Sequence, residues 1–509
     1  MPALPALNRA FSLSSALQGR ADIMVPDASL VALPEKALQF GTGAFLRGFV
    51  DVFIDDANRR GAFGGRVVVV GSTGSGRDGG LNSQNGLYTL CSQGLVQGAP
   101  RRDLRVIGSI SRALSAREQW SAVLACARDP AIEIIFSNTT EVGIALDESD
   151  EPSLSPPRSF PGKLTRFLYE RATALDYAAG CAPIVLPCEL IEGNGDRLRE
   201  IVLALAARWK VGDRFLAWVG SSVSFCNTLV DRIVPGAPPA AELDQLSESL
   251  GYRDSFITVC EPYRLLAIEG DGALQERLGF VGRDDGIIIT PDVTPYRQRK
   301  VRLLNGTHTI MVSAALLGGI DVVRDAVTHP QIGPFLRRVL LDEIVPSLDT
   351  AGAGEFALEV LDRFANPYIN HALFDITLQG TTKMRVRVIP SIVDFIAKTG
   401  RAPDALAFGF AAWLQFMRGE LQAARRAAGL PAPPDDEGAR VLSHWASVEG
   451  DTDAGATRLV HAVCADTRLW GQDLTKAGAF SRAVTTHLLR LRTHGVAGAL
   501  GTLLAGRTA

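Results

Sequence analysis

The sequence predicts an α/β first part, with a parallel sheet covered on both faces, and a mainly α-helical second part. Three observations predict it. Short β-rich runs alternate with helical stretches through the first half. A glycine turn follows the first of those runs. Beyond Lys300 the chain is rich in Ala, Leu and Arg with helical periodicity to its end. Strands that alternate with helices form parallel sheets, because each crossover helix must pack back on the sheet. At 509 residues the chain is too long for one ordinary core, so at least two domains are expected. The boundary is placed near 290–298, giving domains 1–294 and 295–509.

The strands are expected at Ala37–Phe40, Arg66–Val70, Ile132–Phe136, Ala182–Leu186 and Gly286–Thr290. Each is a short apolar run bounded by turn residues. Helices are expected between them, for example Ala116–Ala127 and Pro161–Leu175. Ser224–Arg232 reads as a loop and a short helix. In the second part, Ala405–Leu421 and Ala479–Arg492 read as helices, and Pro431–Glu437 as a surface loop between helices.

Composition excludes several function classes. Hydrophobic residues are 47% and charged residues 21%, with a net charge of -3. That balance gives no general pull toward nucleic acid or anionic membranes. The seven cysteines are scattered, odd in number and free of C-x-x-C pairs, which suits reduced thiols in a cytoplasmic protein. Cys181 and Cys188 are expected in the core. No Cys/His cluster has zinc spacing, so no metal is expected. The first twenty residues, broken by Pro5, Asn8 and Arg9, do not form a signal-peptide core, and no apolar run is long enough to cross a bilayer.

The turn Phe40-Gly41-Thr-Gly43-Ala-Phe45-Leu-Arg47-Gly48 follows the first strand and is expected to open a helix to about Asn58. Gly41 permits a tight turn, and Gly43 lets a pyrophosphate approach the backbone at a helix N-terminus. The third glycine of G-x-G-x-x-G is replaced by Leu46. A plain strand-to-helix turn reads equally well from the glycines alone. Its place at the first strand is the one a Rossmann-type domain uses for its cofactor, which makes Gly41, Gly43, Phe45 and Arg47 candidate cofactor-binding residues. After the second strand no acidic residue awaits the adenosine ribose. Ser72 or Thr73 are candidates for the ribose and Arg77 for a 2′-phosphate, so NAD and NADP both stay open. Asn138 and Thr139 follow another strand and are candidates for the nicotinamide half, or simply an Asx turn or cap. Asn194-Gly195 is a turn signal, and Asn194 is also a candidate oxyanion donor.

The catalytic candidates are Lys300, Asn305 and His308. On an α-helix of 3.6 residues per turn they fall within an arc of about 140°, and Asn305 and His308 form an i, i+3 pair. An amine, an amide and an imidazole are the groups that move a proton and hold an oxygen. The bland alternative is the wet polar face of an amphipathic helix. Arg363, Lys383, Arg385 and Arg387 are candidate grips for a substrate carboxylate, or a solvated face.

These residues resemble the polyol-specific long-chain dehydrogenase/reductase family, which includes mannitol dehydrogenase and the hexuronate reductases. Its signature Lys-x4-Asn-x2-His is met by Lys300, Asn305 and His308. Leu38–Arg47, Phe136–Gly143, Leu186–Ile191, Asn227–Val234, Asn366–Ile369 and Gln472–Thr475 carry the rest of the likeness, over roughly residues 36 to 490. The resemblance implies a metal-independent, NAD-linked oxidoreductase acting on a small-molecule sugar acid or polyol, monomeric or homodimeric. It implies Lys300 as general acid/base, Asn194 and Asn305 as donors to the reacting oxygen, and His308 as the substrate-positioning group. Where mannitol dehydrogenases carry a further Asn, this chain has Leu190. Rival readings are an enzyme acting on mannitol, arabinitol or fructuronate, and a non-catalytic dinucleotide-binding sensor.

Overall fold

The computed structural model describes residues 4–72, 77–139, 143–281, 284–448 and 452–506. Contacts divide the chain into two units, Met1–Gln93 with Arg101–Val293, and Gly94–Pro100 with Thr294–Ala509.

The first unit is built on six strands: β1 Glu35–Phe40, β2 Arg66–Gly71, β3 Ile110–Ser115, β4 Ile134–Ser137, β5 Ile184–Pro187 and β6 Ser224–Phe225. They lie in the order β3-β2-β1-β4-β5-β6, and every neighbouring pair runs parallel. That order is the doubly wound, Rossmann-type one. Strand alternation feeds two cores. Leu38, Phe40, Val68, Val70, Ile135 and Val185 point to one face. Ala37, Val67, Val69, Ile134, Phe136 and Ile184 point to the other. Such continuous apolar runs suit strands buried on both sides.

Residues from helices Trp120–Arg128, Phe160–Ala174 and Asn194–Arg208 complete the first core. Ser159 caps the second of these helices by accepting from Gly162 N–H, and Pro161 sits in its first turn. Helix Val50–Arg59 and two small sheets fill the other face. One sheet joins Tyr88–Val96, Ala99–Ile107 and Thr258–Cys260; the other joins Thr228–Asp231, Leu265–Glu269 and Ile287–Thr290.

Three expectations are corrected here. Ile110–Ser115 is a sheet strand that the sequence reading left out. Residues 224–231 form two strands, not a loop and short helix. The helix after the glycine turn is interrupted: Ala44–Arg47 ends at Gly48, and Val50–Arg59 starts afresh after Phe49. Gly48 has no room for a side chain, since a Cβ there would lie 2.7 Å from Val234. Cys188 is in the core as expected, whereas Cys181 is only partly buried; all seven cysteines are free.

The second unit is helical. Asp404–Phe416 is its hub, buried along nearly its whole length. It packs on Gly306–Leu317 and on the long C-terminal helix Phe480–Ala505. Gly409 makes the first crossing possible, because a Cβ there would lie 2.3 Å from Ile310. Three stretches are π-helical: Lys300–Asn305, Arg338–Ile344 and Met384–Val388. Pro346 and Pro390 each follow such a stretch by two residues. A proline has no N–H to give, so the regular i→i+4 ladder cannot continue through it. No helix among the described residues is long and apolar enough to cross a membrane.

Candidate active site

In the first unit, the glycine turn sits at the carboxyl end of β1, beside β4, where the strand order reverses direction. This is the crevice in which open α/β sheets bind ligands. Gly41 has φ +125° and a Cβ there would lie 2.9 Å from the Asn138 carbonyl oxygen, so only glycine fits. Gly43 is different. It is exposed, precedes helix Ala44–Arg47 without any side-chain cap, and a Cβ there meets nothing within 4 Å. An anionic group can therefore come close to uncapped backbone N–H groups, and the turn fits a dinucleotide diphosphate.

The turn is pinned from beneath. Arg47 is buried; it donates to the Thr42 carbonyl and, through Nε, to Thr258 Oγ1 at 3.2 Å. It also lies over the rings of Tyr88 and Phe256. These contacts make Arg47 the fastening of the turn. Phe45 stacks on Phe49 at 5.0 Å. Ser72 is an exposed bend at the end of β2. Thr73 lies outside the described residues, as does the side chain of Arg77.

At the end of β4, Asn138 donates to the Cys188 carbonyl at 2.7 Å. Thr139 donates to Glu189 through both N–H (2.9 Å) and Oγ1 (3.1 Å), and Ser137 Oγ donates to the same carboxylate at 3.0 Å. Glu189 is buried; burial pushes its carboxyl up while these hydrogen bonds pull it down. It ties the loop after β4 to the loop after β5. No sequence signal marks Glu189 for this role.

Asn194 is corrected. Its side chain is fully buried, and Nδ2 has Pro187 O at 2.9 Å, Glu189 O at 3.1 Å and Thr228 Oγ1 at 3.1 Å as acceptors for its two protons. Its Oδ1 accepts from Gly195 N–H and Thr228 N–H. With both protons engaged by the protein, the amide has none left for a substrate oxygen. Leu190, by contrast, is 61% exposed.

In the second unit the Lys300 segment departs from the 3.6-residue period assumed for it. Gly306 N–H bonds to Val301 O, an i→i+5 bond. A turn closed by such bonds holds about 4.4 residues, so five residues turn through about 410°. Asn305 is thereby brought from about 140° away to about 50° from Lys300. From Asn305 onward the helix is regular, and His308 falls within about 10° of the Lys300 line. The π-turn thus gathers the three side chains onto one stripe. The cost of Gly306 in a helix has its reason too: a Cβ there would lie 3.0 Å from the Arg387 carbonyl oxygen.

His308 lies face-on against Phe364, ring centres 4.0 Å apart, and edge-on to His371 at 5.4 Å. Burial pushes its pKa well below the imidazole range, and His371, Arg363, Arg387 and Lys383 push it further the same way. The ring is therefore neutral, inside a locally positive field. Arg387 Nη1 reaches Thr309 Oγ1 at 3.5 Å. Lys383 donates to Ile376 O at 3.0 Å; burial lowers its pKa, as does Arg387, against the pull of Asp435. Arg385 is separated from them. It pairs with Glu437 at 2.9 Å and donates to Leu469 O at 3.0 Å, while Thr381 donates to Asp435. The loop read as plain surface thus anchors this segment, and Arg385 is corrected from substrate grip to structural anchor.

Both parts of the chain match known proteins. Residues 35–280 match the model of the mannitol dehydrogenase Rossmann domain, and residues 292–492 that of the mannitol dehydrogenase C-terminal domain. The chain is 41% identical to an altronate oxidoreductase of Bacillus subtilis (strain 168), over 92% of this chain and 95% of the relative. It is 40% identical to an altronate oxidoreductase of Pectobacterium atrosepticum, over 92% and 96%. Among solved structures it is similar to Pseudomonas fluorescens mannitol 2-dehydrogenase, in ternary complex with NAD and D-mannitol, with TM-score 0.66, 25% identity and coverage of 98% and 99%. It shares its fold with a D-sorbitol dehydrogenase in substrate-free form, with TM-score 0.74, 22% identity and coverage of 97% and 100%.

Proposed function

We propose, on the premise that this chain belongs to the mannitol dehydrogenase family, that it is an NAD-dependent oxidoreductase interconverting D-tagaturonate and D-altronate. The observation that carries the substrate class is the positive surround of His308: Arg363, Lys383 and Arg387 act on a ring that shares its helix with Lys300 and Asn305. A neutral polyol gives those cations nothing to pair with, whereas a hexuronate brings a carboxylate. The relatives named as altronate oxidoreductases support the same class.

In this reading the first unit, within residues 1–294, would hold the cofactor: Gly41 and Gly43 at the diphosphate, Ser72 at the ribose, Asn138 and Thr139 toward the nicotinamide. When bound, the nicotinamide supplies the hydride in the reductive direction and takes it up in the oxidative one. The second unit, within 295–509, supplies the rest. Asn305 donates to the ketone oxygen as it gains negative charge, a contribution of about 3 kcal/mol for a well-placed donor. The Lys300 ammonium gives that oxygen its proton, and in the oxidative direction the Lys300 amine takes it back. His308, neutral, holds a neighbouring hydroxyl. Arg363, Lys383 and Arg387 grip the carboxylate. Free cysteines suit a cytoplasmic enzyme.

The test is kinetic. Lys300→Ala is expected to lower turnover of tagaturonate by about 10²–10⁴-fold while NADH still binds, measured by fluorescence titration. Near-normal turnover of that variant at every pH sinks the proposal. A panel of uronates, mannitol and arabinitol with NAD(H) and NADP(H) fixes the substrate and cofactor.

A further inference from the structure

One charged side chain beside the Lys300 stripe is accounted for by none of the steps above. Arg302 stands two residues beyond Lys300, so the two side chains leave opposite sides of the helix. Arg302 is 7% exposed, and its guanidinium has three partners. It donates through Nε to Ser391 Oγ, through Nη2 to Ser347 Oγ at 3.1 Å, and pairs with Asp394 at 3.0 Å. The placement of these partners is specific. Ser391 and Asp394 lie on helix Ile389–Thr399, which continues straight from the π-turn Met384–Val388. Ser347 ends the short helix that continues from the π-turn Arg338–Ile344. Arg302 itself lies within the third π-turn. One guanidinium therefore ties the Lys300 π-turn to the helices that continue the other two π-turns of the described residues.

On this side of the Lys300 turn Pro295, Arg302, Ser347, Leu348, Asp394 and Ala397 line a cavity of about 260 Å³, so the packing there is incomplete. A π-turn is less favourable than an α-turn and persists only where its surroundings over-determine it. Relaxation to the α period would carry Asn305 most of a quarter-turn away from Lys300. A lysine does not replace the guanidinium, because its single nitrogen cannot stand at both the Nε and the Nη2 positions from which Arg302 donates.

We propose that Arg302 is a positioning residue. It holds residues 300–305 in their π-helical winding, keeping Lys300 on one stripe with Asn305 and His308 and at a set distance from the cations of the 383–387 turn. The proposal rests on Lys300 being the acid/base of the reaction given above.

The experiment compares Arg302→Lys, Ser391→Ala and Lys300→Ala with the unaltered protein, using NADH and tagaturonate. Arg302→Lys is expected to lower kcat about 10–100-fold, the scale of a displacement near 1 Å. Its KM and NADH affinity should stay within about threefold, with the pH profile of kcat displaced. Ser391→Ala, which leaves two partners, is expected to lower kcat about 3–10-fold at an unchanged melting temperature, and it decides the matter should Arg302→Lys fail to fold. Normal kcat in Arg302→Lys, or in Ser391→Ala when it stands alone, overturns the inference. So does a kcat that falls only in step with the folded fraction. If Lys300→Ala is inactive while Arg302→Lys is normal, the positioning role falls and the reaction stands; if Lys300→Ala stays active, the reaction itself falls.

Discussion

His308, Lys383, Arg385 and Arg387 show what a run of charges becomes once it is folded. On sequence, the three cations of the 383–387 run formed one group. In the structure Arg385 turns to Glu437 and Leu469, while Lys383 and Arg387 both act on His308. That sorting depends on residues more than fifty positions away, which no local pattern reveals. Lys383→Ala and Arg387→Ala are each expected to raise KM for tagaturonate about 10–100-fold, the worth of a charged hydrogen bond, with little change for neutral ketoses. Arg385→Ala should move KM less than about threefold; an equal rise in all three would return Arg385 to the substrate grip. Asn194 was misjudged for a related reason. An Asn-Gly pair after a strand reads as exposed, but here Thr228 folds over it and takes up the amide.

At the scale of elements, the strands that were legible are the ones buried on both faces, such as Val67–Val70. Strands of the smaller sheets were not legible, and neither was one strand of the large sheet, Ile110–Ser115, which is polar where Arg112 and Ser111 meet Glu35. The Lys300 helix was legible as an element and its residues as a set, but its period was not. Periodicity analysis presupposes 3.6 residues per turn, and a π-turn violates that without changing composition. The prolines at 346 and 390 were the available signal for the other two. Gly306→Ala tests the packing of this element. Helix propensity gains up to about 1 kcal/mol, yet the Arg387 carbonyl must give way. The expected outcome is a melting temperature within a few degrees of the parent and a KM for tagaturonate raised about 3–10-fold. An unaltered KM would show that the carbonyl yields without moving the side chain.

For the molecule as a whole, burial raises the pKa of carboxyls in both units, to about 7 for Asp51 in the first and for Glu343 in the second. Burial is the main cause in both. Asp51 has only Gln39 Nε2, at 3.5 Å, with Oδ1 left without a partner. Glu343 accepts from Ala405 N–H and Leu406 N–H at the start of the hub helix. For an acid whose folded pKa is raised, the contribution is complete below the unfolded value and is lost as pH rises through about 7. His308 acts in the opposite direction: its lowered pKa gives stability that is present above the ordinary imidazole value and lost as pH falls. Resistance to urea should therefore fall as pH rises from about 5 to about 7, by up to roughly 1.4 kcal/mol per pH unit for each carboxyl and offset in part by His308, and should level off above that. Asp51→Asn and Glu343→Gln should each flatten that fall below pH 7 in their own unit. A slope that neither substitution changes would mean that both carboxyls ionise freely.

The division of the chain has a consequence for recombination between relatives. The hairpin tip Gly94–Pro100 belongs with the helical unit, where Gly98 N–H donates to Asp362 at 3.0 Å, although about two hundred residues separate it from the rest of that unit. A single crossover near position 294 would splice one parent's tip to another parent's helices. Chimaeras that inherit both segments from the same parent should retain a matched seam, and those that do not should fold less well for reasons that no inventory of active-site residues would foresee.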